Sequence, residues 1–191
     1  SATATDADSG ADGGEPDGDS TPQEPDLEGI QWFPGPTQTT VFCVDDGETD
    51  RAAIQQAIDH FDKTVGSGHI AISGGICEIG APIIIAQKRG IRIEGQGRCE
   101  TELVWAGEGD GPLFFFDATS EAFLGHLTIS VQQGATLESA IVLHSGCDAG
   151  DGLCDDQLDL ISTRNTLDHL SIIGAPGTLF HGVKVISDGA A

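Results

Sequence analysis

Residues 45–97 constrain the fold more than any other part of this chain. They read DDGETDRAAIQQAIDHFDKTVGSGHIAISGGICEIGAPIIIAQKRGIRIEGQG. Ile54, Ala57, Ile58, Phe61 and Val65 recur at three- and four-residue steps, which predicts an amphipathic helix over 50–63. Thr49 or Asp50 is a suitable N-cap, and Gly66-Ser67-Gly68 stops the helix. Arg51, Gln55, Asp59, His60 and Asp62 fall outside the stripe, so His60 is expected in solvent. Short apolar strands follow over 69–73, 76–79, 82–86 and 90–94, each ended by glycine or a polar turn. Strands this short cannot bury an aliphatic face alone; stacked in successive layers, they can.

Three later segments extend the pattern. GIRIEG (90–95), HLTISV (126–131) and HLSIIG (169–174) superpose without a gap. The superposition puts Ile91, Leu127 and Leu170 in one column and Ile93, Ile129 and Ile172 in another, both inward by strand alternation. Second strands are expected over 140–143 and 182–186, and a first strand over 40–44. The fold class predicted is an all-β solenoid with an N-terminal amphipathic capping helix. Its end coil would expose strand edges open to self-association.

The run ETDRAAIQQAIDHF…GSGHIAISGGICEIGAPIII…IRIEGQGRCETELVW resembles the N-terminal part of the pectate-lyase-like superfamily. Thr49-Asp50, Ala52-Ala53-Ile54-Gln55 and Gly95-Gln96-Gly97 carry the likeness, which extends over roughly 40–190 and is strongest before Trp105. The resemblance implies a right-handed parallel β-helix and an association with glycans. The sequence departs from that pattern at Ser73-Gly74-Gly75, where those proteins often have proline. It has no Asn-Thr-Asp, Gly-His-Gly or Arg-x-Lys set like that of the pectin hydrolases, and no Arg-x-Pro-x-x-Arg element like that of the lyases. If the protein is a polysaccharide lyase or glycoside hydrolase, its catalytic set is not visible in these residues, and the resemblance puts such sets in middle coils, beyond Ala191.

Charge narrows the partners. The formal net charge is −23, from 31 acidic and 8 basic residues. Nine of the acids precede Gly29 and no base does, yet the remainder is acidic too. Such a surface repels phosphate backbones, which argues against nucleic acid. No apolar run approaches the roughly 20 residues of a membrane span. Residues 1–29 are Asp, Gly, Ser, Thr, Pro, Ala and Glu with almost nothing apolar, and read as a disordered acidic linker to a β-helix over 30–191. The tract is similar to surface-lipoprotein tethers, whose lipid-bearing cysteine would precede Ser1. Five cysteines and this tether point to an extracellular or cell-surface location.

Candidate chemistry is sparse. His126 and His169 share one column, about 4.8 Å apart if their layers are adjacent. With Asp168 beside His169, they are the catalytic candidates, His169 as acid or base tuned by Asp168. The competing reading is a solvent-facing polar ladder, extended by Thr128 and Ser171. His181 and Lys184 are weaker candidates. Cys147 and Cys154 bracket CDAGDGLC and are expected to form a disulfide; Cys77 and Cys99 lie about one coil apart and form a second candidate pair, leaving Cys43 odd. Asp148, Asp151, Asp155 and Asp156 are calcium candidates in that loop, as are Asp6, Asp8 and Asp12 in the linker, although neither spacing is a regular calcium loop. A zinc site in the cysteine loop lacks a second Cys or His pair. Gly95-Gln96-Gly97 lacks the features of a phosphate loop and is a turn. Trp32 and Phe33 suit a sugar face or the end of a core.

Two functions fit. One is a secreted or surface β-helix protein that binds or processes polysaccharide, with no cofactor other than calcium. The alternative is a non-catalytic structural, adhesive or self-assembling extracellular solenoid. Aromatics at 5% and the lack of tyrosine favour the second.

Overall fold

The computed structural model describes residues 30–32, 38–44, 47–61, 68–107, 109, 111–145 and 164–187. The linker, Phe33, the Cys147/Cys154 pair and all seven calcium-candidate aspartates lie outside them, as do the side chains of residues 30–32.

The expected mainly parallel β architecture and its one amphipathic helix are present. Strand β1 (Ile30–Trp32) pairs antiparallel with β2 (Gln38–Val41). Helix α1 (Gly47–His60) follows. The remaining strands are β3 (His69–Ile72), β4 (Gly75–Ile79), β5 (Ile83–Ala86), β6 (Arg92–Glu94), β7 (Thr101–Trp105) and β8 (Pro112–Asp117). Longer strands complete the set: β9 (Phe123–Val131), β10 (Leu137–Ser145), β11 (Thr166–Ile173) and β12 (Leu179–Ser187). All pairings after β1–β2 are parallel. They form an eight-stranded sheet, β1-β2-β3-β6-β9-β7-β4 with β11 also on β9, and a four-stranded sheet, β12-β10-β8-β5.

The larger sheet curls because β9 serves two ranks of strands. Its first residues pair with β6, with Ile93 opposite Leu124. Its last residues pair with β7, with Leu103 opposite Ile129. The bend between them is at His126, whose backbone is left-handed (φ 57°). This corrects the first member of both expected columns, since Ile91 falls opposite Ala122 and not Leu127. Leu127 faces Leu170 and Ile129 faces Ile172 as expected, but Ile93 faces Leu124 and not Ile129. Between β6 and β7 the chain turns through residues 95–100, whereas β9 turns through a single residue. A gapless superposition cannot represent corners of different length.

The core lies between the two sheets. Ile70, Ile72, Cys77, Ile79, Ile83, Ile85, Leu103, Leu124, Ile129 and Ile141 are fully buried. Phe114 and Phe116 fill the smaller sheet's inner face, their ring centroids 6.1 Å apart. Trp105 is buried with its indole N–H donating to the Thr136 carbonyl at 2.8 Å.

Helix α1 starts earlier than expected, so Asp50 lies inside its first turn and is buried. Ala53, Ile54, Ala57, Ile58 and Phe61 form the buried stripe, and His60 is exposed as expected. The helix also closes strand edges. Asp50 accepts from the amides of Val44 (2.7 Å) and Glu78 (3.0 Å). Gln55 both donates to the Ile84 carbonyl (2.9 Å) and accepts from the Ile84 amide (2.8 Å), as a neighbouring strand would. Arg51 donates to the Pro82 carbonyl. Strands β4 and β5 end their sheets, so these side chains satisfy edge groups that would otherwise be open to pairing.

Among the described residues, Cys77 pairs differently from the sequence expectation. Cys43, after β2, is disulfide-bonded to Cys77 on β4, with Cα atoms 4.9 Å apart. Cys99 is free and exposed. The Cys77–Cys99 pair fails because β7 begins at Thr101, which leaves Cys99 in the corner while Leu103 occupies the position opposite Cys77.

Candidate functional site

Strand alternation sends His69 on β3, Arg92 and Glu94 on β6, Phe123 on β9 and Asp168 on β11 outward, because Ile70, Ile93 and Leu124 between them point into the core. The registers align them: His69 opposite Arg92, Arg92 opposite Phe123, Glu94 opposite Gly125, and Gly125 opposite Asp168. His126 (φ 57°) and His169 (φ 48°) follow at the bends of β9 and β11. Their left-handed backbones place them beside one another on the outside before Leu127 and Leu170 turn in again. Histidine adopts this conformation more readily than branched residues do.

The groups contact each other closely. Arg92 Nε donates to Glu94 Oε2 at 2.6 Å. The Arg92 guanidinium also lies 3.7 Å over the Phe123 ring. His69 Nε2 is 3.3 Å from Glu94 Oε2, a polar contact without hydrogen-bond alignment. His126 Nε2 lies 3.5 Å from Glu94 Oε1 and 4.0 Å from Asp168 Oδ2. His169 Nδ1 meets Asp168 Oδ1 at 2.7 Å. The rings of His126 and His169 stack with centroids 5.0 Å apart and planes 10° from parallel. Phe123 stacks beside His126 at 6.1 Å.

Charge in the strip is mutually compensated. The hydrogen bond from Arg92 lowers the pKa of Glu94 below the usual carboxylate range against the opposing effect of burial, aided by the charges of Arg92, His69 and His126. The same hydrogen bond raises the pKa of Arg92. The hydrogen bond to His169 lowers that of Asp168. Both carboxylates are therefore anions at neutral pH.

The structure thus brings together all three catalytic candidates, His126, Asp168 and His169. It does not bring in His181 or Lys184, which lie on β12 in the other sheet; Lys184 Nζ bonds to Glu138 at 2.7 Å. The register change adds His69, Arg92, Glu94 and Phe123, which sequence reasoning missed. A second pair also escaped it: His144 Nδ1 and Asp117 Oδ1, 2.7 Å apart on β10 and β8. No spacing rule marks either group, because their members are separated by whole layers. The strip is open to solvent, with the His126, Asp168 and His169 side chains 34%, 45% and 61% exposed, and a cavity of about 200 Å³ lies elsewhere, lined by Leu143, Ser145, Arg164, Asn165 and Val185. That volume is below the roughly 300–1,000 Å³ typical of small-molecule sites.

No protein family and no curated protein matches this chain. A solved structure, ORF18 of Geobacillus virus E2, is similar to it at 17% sequence identity and a TM-score of 0.36, covering 56% of this chain and 30% of the viral one. A likeness at that level carries no functional argument. The resemblance to the pectate-lyase-like superfamily is therefore corrected: nothing found places the chain there, and the residues that suggested it have local tasks. Asp50 is a buried acceptor under α1, and Gly95 is a corner where the Gly125 carbonyl accepts from its amide at 3.0 Å.

Proposed function

We propose that this chain is a parallel β-solenoid module acting outside the cell as a non-catalytic structural or adhesive scaffold. One observation carries the reading: strands recur in three aligned ranks, each four deep. They are β3, β6 and the start of β9 and β11; β4, β7 and the end of β9 and β11; and β5, β8, β10 and β12. Left-handed residues mark the corners in register, Gln87 with Ala118, Glu121 with Arg164, and His126 with His169. A right-handed course is the common one for such parallel crossovers. The disulfide supports an oxidising compartment. Among the described residues, no helix is long and apolar enough to cross a membrane, which leaves β-barrels unaddressed. Val183 and Val185 continue the inward columns of Ile141 and Leu143 yet are exposed, which supports assembly with a second copy or a further layer.

A second reading has its own observation. The stacked rings of Phe123, His126 and His169, with Arg92 over Phe123 and the Glu94 and Asp168 carboxylates beside them, form a strip of ring edges and hydrogen-bonding groups suited to sugar hydroxyls. Incubating the chain with a polysaccharide panel, with and without calcium, separates the readings. The scaffold predicts no product release in any condition. Release that disappears in His169→Ala overturns it in favour of an enzyme. Retention on an immobilised polysaccharide that Phe123→Ala abolishes, without product release, establishes binding alone.

A further inference from the structure

The geometry points to a site for a divalent transition-metal ion, with Zn²⁺ as the type, formed by His126, Asp168 and His169. One ligand atom from each of these residues lies within 4.8 Å of the other two. Asp168 sits between the histidines, Oδ1 toward Nδ1 of His169 at 2.7 Å and Oδ2 toward Nε2 of His126 at 4.0 Å. In a tetrahedral zinc site with bonds of about 2.0–2.1 Å, ligand atoms lie about 3.3 Å apart. All three side chains are accessible, at 34%, 45% and 61%, which leaves them room to rotate and close the longer separations.

The scaffold already fixes what a metal site needs fixed. Strands β9 and β11 are paired on both sides of the histidines, at Gly125–Asp168 and Leu127–Leu170. The near-parallel rings must tilt toward one another to direct two lone pairs at one ion, a motion open to solvent-facing imidazoles. Donor chemistry selects the metal. Two imidazoles with one carboxylate suit Zn²⁺, Co²⁺, Ni²⁺ or Cu²⁺; Ca²⁺ and Mg²⁺ prefer all-oxygen shells. Glu94 Oε1 lies 3.5 Å from the same His126 Nε2 and is held by Arg92, so it stands beside the ion's position and adds negative charge there. Three protein ligands leave a position for water or an external donor. The ion would tie two successive layers together where both bend. The inference is independent of the scaffold and glycan readings, since its readout is metal binding.

The test titrates Zn²⁺ into the full metal-stripped chain by calorimetry, with Co²⁺ as spectroscopic reporter. His126→Asn and His169→Asn are the variants, because asparagine tolerates the left-handed backbone and is a poor ligand for these ions. His181→Asn is the control. Loss of an outer partner alone costs about 10–100-fold in affinity, so each ligand variant is expected to weaken Zn²⁺ by at least about tenfold, the control leaving it unchanged. Wild-type imidazole NMR signals of His126 and His169 should shift on Zn²⁺ addition while that of His181 stays, which keeps the test valid if a variant folds poorly. Ca²⁺ at the same concentration should shift neither. Absence of Zn²⁺ binding, affinity retained in both variants, or Co²⁺ spectra showing thiolate charge transfer from Cys99 would each overturn the assignment.

Discussion

Gly125 lies at the most crowded backbone position of the histidine corner. A Cβ there would sit 2.6 Å from the Asp168 carbonyl oxygen and 2.8 Å from the Phe123 ring. The carbonyl belongs to a paired strand and cannot withdraw without breaking its ladder. Gly125→Ala is therefore expected to cost about 1–3 kcal/mol, as overpacking of a filled site does. Urea unfolding should show a lower midpoint at unchanged slope, and an unchanged midpoint would refute the close approach. Gly95 meets the same constraint from the His126 carbonyl at 2.6 Å. At this scale the sequence was half legible. HLTISV and HLSIIG have the same residue at the bend, so aligning them without a gap put His126 beside His169 correctly. GIRIEG precedes a longer corner, and its sequence carries no mark of where the pairing slips. Arg92 and Glu94 therefore joined the site only once the register was known.

Helix α1 illustrates what periodicity reports and what it leaves out. Its apolar stripe follows from the three- and four-residue spacing of Ile54, Ala57, Ile58 and Phe61, and these residues are buried. Its task in closing the edges of β4 and β5 depends on Asp50, Arg51 and Gln55, polar residues that pattern analysis assigns to caps or solvent. Asp50 is the strongest of these contacts because a buried carboxylate holds two amides from separate segments. Hydrogen bonds to charged groups are worth about 1.5–3 kcal/mol each, so losing both in Asp50→Ala is expected to destabilise the fold by roughly 3–6 kcal/mol. Amide exchange at Val44 and Glu78 should accelerate before that of β9 and β10, and uniform acceleration would contradict a local capping role. The cysteines teach a related lesson: spacing by one layer suggested Cys77 with Cys99, but pairing follows the neighbour in space, and Cys43 after β2 is that neighbour.

Over the whole molecule, two electrostatic effects oppose each other, and their sizes decide the outcome. Excluding residues 1–29, the body still holds 22 acids against 8 bases, so compaction works against its own repulsion. The compensating Arg and Lys ion pairs among the described residues, Arg92–Glu94, Lys184–Glu138, and Arg89 and Arg164 with Glu121, are partly exposed, and such pairs contribute about 0–1 kcal/mol each. Salt weakens both effects, but repulsion spread over many unpaired acids is screened more than a few contacts at hydrogen-bond distance. The melting temperature at pH 7 is therefore expected to rise as NaCl increases from low ionic strength to about 0.5 M, where the Debye length falls well under 10 Å. A fall would mean that the ion pairs dominate. Acidification does not substitute for salt. Glu94, Asp168 and Glu138 all titrate below their ordinary values, through hydrogen bonds from Arg92, His169 and Lys184 respectively. A carboxylate depressed in the folded state contributes stability above its unfolded pKa, near pH 4, and loses it as the pH falls through the lower folded value. Lowering the pH toward the isoelectric point of about 4.1 relieves repulsion while bringing these groups to the edge of that loss. Salt at neutral pH removes the repulsion and leaves them ionised, so melting in NaCl at pH 7 isolates the repulsive effect.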